Sequence, residues 1–146
     1  LFNNILIVCV GNICRSPMAE ILFRKALTHS KKPKCQVSSA GIEAMVGHQA
    51  DPKAIHLMHN RGLDLSHHRA SQINRIMIRK SDLILVMESS HKQAIEANEP
   101  SAKGKIFRLG EWGKYDIQDP YKLELEVFET VLEQIDQGID AWIKKL

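Results

Sequence analysis

The run Asn-Ile-Leu-Ile-Val-Cys-Val, residues 4–10, passes directly into Gly-Asn-Ile-Cys-Arg-Ser-Pro, residues 11–17. This junction constrains the fold more than any other stretch of the chain. The run lacks alternation between apolar and polar positions, as expected of a strand buried on both faces of a sheet. Gly11 and Asn12 then break the pattern, and Pro17 stands where a first-turn proline suits a helix. A buried strand, a tight loop and a helix open a βαβ unit, which requires a parallel sheet covered by helices.

The rest of the chain repeats that alternation. Strands are predicted at 4–10, 35–40 (Cys-Gln-Val-Ser-Ser-Ala), 82–87 (Asp-Leu-Ile-Leu-Val-Met) and 105–109 (Lys-Ile-Phe-Arg-Leu). Helical patterns cover 16–27, 51–62, 71–80, 89–97 and the tail 123–146. The second opens on an Asp51-Pro52 cap signal and stops at Gly62. The tail carries one apolar stripe, Phe128, Val131, Leu132, Ile135, Ile139, Trp142, Ile143 and Leu146, which makes Trp142 a core residue. Lys and Pro in residues 30–34 mark an exposed loop. The predicted fold is a single α/β domain over residues 1–146, a four-stranded parallel twisted sheet with helices on both faces, Rossmann-like.

Composition excludes several classes. A chain of 146 residues with 44% hydrophobic and 25% charged residues is one globular domain. No apolar run reaches the roughly 20 residues of a membrane span, so no membrane insertion is expected. The opening stretch has no basic segment and no small-residue cleavage site, and it reads as a strand rather than a signal peptide. A net charge of +3 with 5% aromatic residues gives no nucleic-acid platform. Three cysteines is an odd count without an export signal, which predicts a reducing, cytoplasmic setting and reactive cysteine chemistry.

Parallel sheets bind ligands beyond the carboxyl ends of their strands, and the loop after the first strand lies there. The N-terminus of the following helix offers unpaired N–H groups and a positive dipole end to an anion. Gly11 permits close backbone approach and Asn12 tolerates a left-handed conformation. Arg15 carries a planar fork that matches two phosphate oxygens. Cys9 sits at the floor of this cradle, where the same field favours thiolate over thiol. Alone, a cysteine at a strand end is a small buried hydrophobe. Cysteine, five residues, arginine and serine on a strand-to-helix turn point instead to a nucleophile facing an anion. A nucleotide P-loop would need Gly-Lys-Ser/Thr here, and a thioredoxin pair would have two residues between its cysteines, not four. No set of four zinc ligands assembles, and His29, His48, His56, His59 and His91 read as solvated surface residues.

Val-Cys-Val-Gly-Asn-Ile-Cys-Arg-Ser-Pro-Met-Ala-Glu (8–20) resembles the signature of the low-molecular-weight protein tyrosine phosphatases. Further similar segments follow in order: Ser-Ser-Ala-Gly (38–41), Asp-Leu-Ser-His-His-Arg-Ala-Ser-Gln (64–72), Asp-Leu-Ile-Leu-Val-Met-Glu (82–88) and Asp-Pro-Tyr (119–121). The resemblance implies the phosphotyrosine phosphatase I-like fold and a monomer needing no metal or organic cofactor. It makes Cys9 the nucleophile that forms a phosphocysteine. Arg15 and the N–H groups of Val10, Gly11, Asn12, Ile13, Cys14 and Arg15 would hold the phosphoryl oxygens. Asp119, an ordinary turn aspartate by pattern alone, becomes the general acid and base. Asn12, Ser16, Ser39 and His68 become the network bracing the loop, with His67 competing for the role of His68. The family often has arginine at the place of Ser71. Cys14 becomes a redox partner able to shield Cys9 as a disulfide, while Cys35, on the second predicted strand, is structural.

Met45 and Tyr121 match the substrate rim. Met45 stands where many members carry an aromatic residue, which resembles the bacterial members tied to capsule and exopolysaccharide tyrosine kinases. The implied partner is a tyrosine-phosphorylated protein, such as one of those kinases. Arsenate reductases share the anion loop but need further cysteines downstream, and this chain has none after Cys35. A silent phosphate-binding module would lack the nucleophile or the acid.

Overall fold

The computed structural model describes residues 2–32 and 34–146. Its strands are β1 (Asn4–Cys9), β2 (Gln36–Gly41), β3 (Leu83–Val86) and β4 (Ile106–Arg108). The helices are α1 (Arg15–His29), α2 (Pro52–His59), α3 (Arg75–Lys80), α4 (Ser89–Asn98) and α5 (Leu125–Ile143). The sheet order is β2-β1-β3-β4 and all pairings are parallel. The chain leaves β1 toward one edge, then crosses back to β3 on the other side. The carboxyl ends of β1 and β3 therefore flank the point where the winding reverses, the place such sheets keep for a ligand.

Alternate side chains of the central strands serve two cores. Ile5, Ile7, Cys9, Leu83, Leu85 and Met87 face a layer containing Met18, Phe23, Phe128, Ile135 and Trp142 from α1 and α5. Leu6, Val8, Ile84 and Val86 face Ile78 of α3 and Ile95 of α4. Burial on both sides explains why β1 and β3 show no alternation in sequence. The α5 stripe packs as expected, with Trp142 buried and its Nε1 donating to the Arg108 carbonyl at 3.1 Å.

Several expectations shift. The predicted helix at 71–80 begins only at Arg75, because the Asn74 side chain accepts from Met77 N at 2.9 Å and caps the helix there. Ahead of the cap, Gln72 pairs with Gly41 as an isolated bridge. Cys35 lies one residue before β2, half-buried, rather than within the strand. The second helix ends at His59, and Gly62 takes a left-handed turn with φ 75°. The last helix is shorter at both ends than 123–146. His91, expected on the surface, is buried at 7% exposure, beside Glu88, Arg15 and the loop that carries Asp116 and Asp119. Pro33, part of the predicted exposed loop, and Leu1 lie outside the described residues.

Candidate active site

The loop from Val10 to Cys14 joins β1 to α1, and its shape follows from where its carbonyls are held. Cys9 O accepts from Ile42 N (2.9 Å), Val10 O from Glu43 N (3.0 Å), Gly11 O from Met45 N (3.0 Å) and Ile13 O from Asp51 N (2.8 Å). Asn12 O lies 2.7 Å from His68 Nε2, and a carbonyl can only accept, so His68 donates from that nitrogen. In a trans peptide the N–H points opposite the preceding carbonyl. With these carbonyls tied outward, the N–H groups of Val10 to Cys14 turn the other way. Among the described residues, those of Gly11, Asn12, Ile13 and Cys14 donate to no backbone carbonyl. The result is a ring of free donors at the start of a helix, an anion-binding concavity.

Asn12 is the hinge of the loop. It is fully buried with φ 59°, the left-handed region that asparagine tolerates better than most residues. Its Nδ2 donates to Ser16 Oγ (2.7 Å) and Ser39 Oγ (3.0 Å), and its Oδ1 accepts from Ser71 N (2.9 Å). Ser39 passes its own hydrogen to Glu20 Oε1 at 2.5 Å. Because Ser16 Oγ already accepts from Asn12, its hydroxyl hydrogen is free for Cys9 Sγ, 2.9 Å away. Only the backbone of Ser71 enters this network, so an arginine side chain is not required there. Gly41 has no room for a Cβ, which would collide with the Val10 carbonyl oxygen.

Arg15 is buried at 1% exposure, and only one arm of its guanidinium is hydrogen-bonded within the protein. Both hydrogens of Nη1 are used, on Glu88 Oε2 and the Ile117 carbonyl, each at 2.8 Å. Nη2 stands 3.7 Å from Asp119 Oδ2, which leaves the N–H groups of Nη2 and Nε for an anion. Asp119 is exposed, and its Oδ1 accepts from Tyr121 N at 3.1 Å, fixing the Asp-Pro turn. Upstream, Ile117 N donates to Met87 O at 2.9 Å and holds that loop against β3.

These groups enclose a cavity of about 140 Å³. Cys9, Val10, Gly11, Ile13, Cys14 and Arg15 form its floor, and Glu43, Met45, Asp119 and Tyr121 its walls. Grooves of about 610 and 600 Å³ lie elsewhere, but the first has Arg75 without a cysteine and the second has Cys35 without an arginine, so neither pairs a thiol with a guanidinium fork. Cys14 is buried, and that burial, with the charges of Asp51, Cys9 and Asp119, pushes its thiol well above the ordinary cysteine range. Among the described residues, no three His, Cys, Asp or Glu side chains gather as metal ligands would, and no helix is long and apolar enough to cross a membrane.

The family model for low molecular weight phosphotyrosine protein phosphatase matches residues 4–146. The chain belongs to that family. Its activity is accordingly that of a cysteine-dependent protein-tyrosine phosphatase. It is 46% identical over 146 residues to a Ralstonia nicotianae protein named probable low molecular weight protein-tyrosine-phosphatase EpsP, covering 100% of this chain and 97% of that protein. The sulphate complex of the tyrosine phosphatase Wzb from Escherichia coli K30 matches with a TM-score of 0.92 at 39% identity, covering 99% of both chains. Vibrio vulnificus Wzb in complex with benzylphosphonate matches with a TM-score of 0.92 at 41% identity, covering 100% of both.

Every residue that the sequence marked for the phosphatase site reaches this cavity or its bracing network. His68 is the histidine at the loop, while His67 is 91% exposed beside Asp64. Sequence reasoning gave no role to Glu88, Glu20, Glu43 or the Ile117 carbonyl. Glu88 had a usable signal, because it follows β3 as closely as the anion loop follows β1.

Proposed function

We propose that Cys9, Arg15 and Asp119 of this phosphatase hydrolyse phosphotyrosine through a phosphocysteine intermediate. One observation carries the reading: free loop N–H groups and the Arg15 fork surround Cys9 in a cavity that also receives Asp119. Cys9 Sγ attacks phosphorus as a thiolate, aided by the Ser16 hydroxyl. The phosphorus–oxygen bond to the ring breaks, and the leaving oxygen takes a proton from Asp119. The loop donors and Arg15 bear the charge that develops on the three equatorial oxygens. A water then attacks phosphorus, Asp119 accepts its proton, and the phosphorus–sulfur bond breaks to restore the thiolate. Each step balances with groups of the chain and one water.

Tyr121 and Met45 supply an apolar wall for the tyrosine ring, and the substrate is a tyrosine-phosphorylated protein. Within that class we favour a kinase of capsule or exopolysaccharide export, the partner implied by the aliphatic Met45. Cys14 would guard Cys9: after a peroxide oxidises the Cys9 thiolate to a sulfenic acid and is itself reduced, the Cys14 thiol condenses with that sulfenic acid to a disulfide with loss of water. The test is hydrolysis of p-nitrophenyl phosphate. Cys9→Ser abolishes turnover, and rapid quenching of the wild type traps phosphate on Cys9. Full activity in Cys9→Ser overturns the mechanism. A substrate-trapping pull-down with the same variant names the phosphoprotein.

A further inference from the structure

Glu88 precedes the first turn of α4, yet its carboxylate makes no cap hydrogen bond. It turns to Arg15 instead, and it has a second neighbour. His91 Nε2 lies 3.1 Å from Glu88 Oε2, the same oxygen that accepts from Arg15 Nη1 at 2.8 Å. The two residues cannot drift apart, because His91 N donates to Glu88 O at 3.0 Å within one helical turn. The other ring nitrogen, Nδ1, is buried without a hydrogen-bond partner among the described residues. A bare lone pair is tolerable there, whereas an N–H⁺ with no acceptor is costly.

We propose that His91 is a positioning residue for the Arg15 guanidinium, acting through the Glu88 oxygen that both contact. Neutral His91 steadies the carboxylate and leaves its charge to Arg15. Protonated His91 pairs with Glu88 itself, sets a second cation beside Arg15 and loosens the fork that grips the phosphate. The charged groups facing the imidazole are Arg15 from α1, Glu88 at its own helix start, and Asp116 and Asp119 from the loop after β4. Burial and then Arg15 outweigh the three carboxylates and hold His91 below its ordinary value of 6.5. It is therefore neutral at neutral pH, and its effect appears only on the acid side. The proposal rests on the reading that Arg15 binds the phosphoryl group.

The test compares His91→Gln, which keeps an amide donor near the place of Nε2 but does not titrate, with His91→Leu, which has no donor. Inorganic phosphate is the probe, and its affinity is measured in a Cys9→Ser background so that the readout needs no turnover. Near neutral pH, His91→Leu weakens phosphate binding about fivefold, the size expected for neighbours in one ion-pair network, and His91→Gln restores most of it. In the turnover arm, the kcat/KM ratio of wild type to His91→Gln falls as pH drops below 6.5, parallel to imidazole protonation followed by NMR. A ratio flat with pH, or phosphate binding unchanged in His91→Leu, overturns the proposal. If His91→Leu fails to fold, the wild-type to Gln comparison decides alone. A wild type that binds phosphate but does not turn over refutes the proposed mechanism and leaves the binding arm to judge His91.

Discussion

Replacing Asn12 by alanine removes three hydrogen bonds at a fully buried position, those to Ser16, Ser39 and Ser71 N. Each is worth about 1 kcal/mol net, so their loss costs about 3 kcal/mol. Alanine must also adopt φ 59°, which adds roughly 1–2 kcal/mol. The expected destabilisation is about 4–5 kcal/mol, a large part of the roughly 5–15 kcal/mol that holds a domain folded. Asn12→Gly separates the two contributions, since glycine loses the same hydrogen bonds but takes the left-handed conformation freely. It is expected to be about 1 kcal/mol more stable than Asn12→Ala. Urea unfolding followed by tryptophan fluorescence is a suitable assay, because Trp142 is buried against Phe107 and Trp112 and reports on packing far from the loop. A loss under about 2 kcal/mol in Asn12→Ala, or a glycine variant less stable than the alanine one, refutes the reasoning. Asn12→Asp is the functional companion. It can keep Ser71 N but no longer donates to Ser16, so the Ser16 hydroxyl turns toward the carboxylate and away from Cys9. Phosphate affinity falls in this variant even where folding is retained.

Asp119→Asn lowers kcat by roughly 10²–10⁴-fold, and by more for phenyl phosphate than for p-nitrophenyl phosphate, whose leaving group needs the proton less; equal losses on both substrates count against an acid role. The Cys14 thiol is buried and pushed up further than the half-buried Cys35, which burial and Asp82 also raise. Iodoacetamide at mildly alkaline pH therefore labels Cys35 before Cys14, and mass mapping that shows Cys14 labelled first contradicts this order. Gly138→Ala places a methyl group 2.7 Å from the Leu109 carbonyl oxygen, where α5 crosses the end of β4. The rigid backbone there makes the cost about 1–3 kcal/mol, and a melting temperature equal to wild type excludes that close approach.

Much of this architecture was legible because β1 and β3 announce burial on both faces, and their carboxyl ends then locate the site before any motif is invoked. Cys9 and Arg15 followed from one contiguous loop. Asp119 lies more than a hundred residues away from them, and only the resemblance raised it above the other acids. The start of α3 was misplaced because an apolar pattern through Ile73 and Ile76 continues past the cap, although Asn74 carried the signal. His91 was misread for a different reason. Local sequence shows a polar helix start, whereas its burial comes from Glu88, Arg15 and the distant loop closing over it. Composition cannot report such tertiary closure.

The outward-tied carbonyls of residues 9–13 imply a division of labour along a single loop. In the proposed mechanism the loop's share of the grip on the phosphoryl group, beside the Arg15 fork, is made of main chain, and so is blind to which side chains stand at Val10 and Ile13. Those two positions, with Glu43, Met45 and Tyr121, can be exchanged to retune what is attached to the phosphate without loosening the hold on the phosphate itself. Selectivity can thus be redesigned around the cavity one residue at a time, while the residues that pull the carbonyls back, His68 above all, must be left in place.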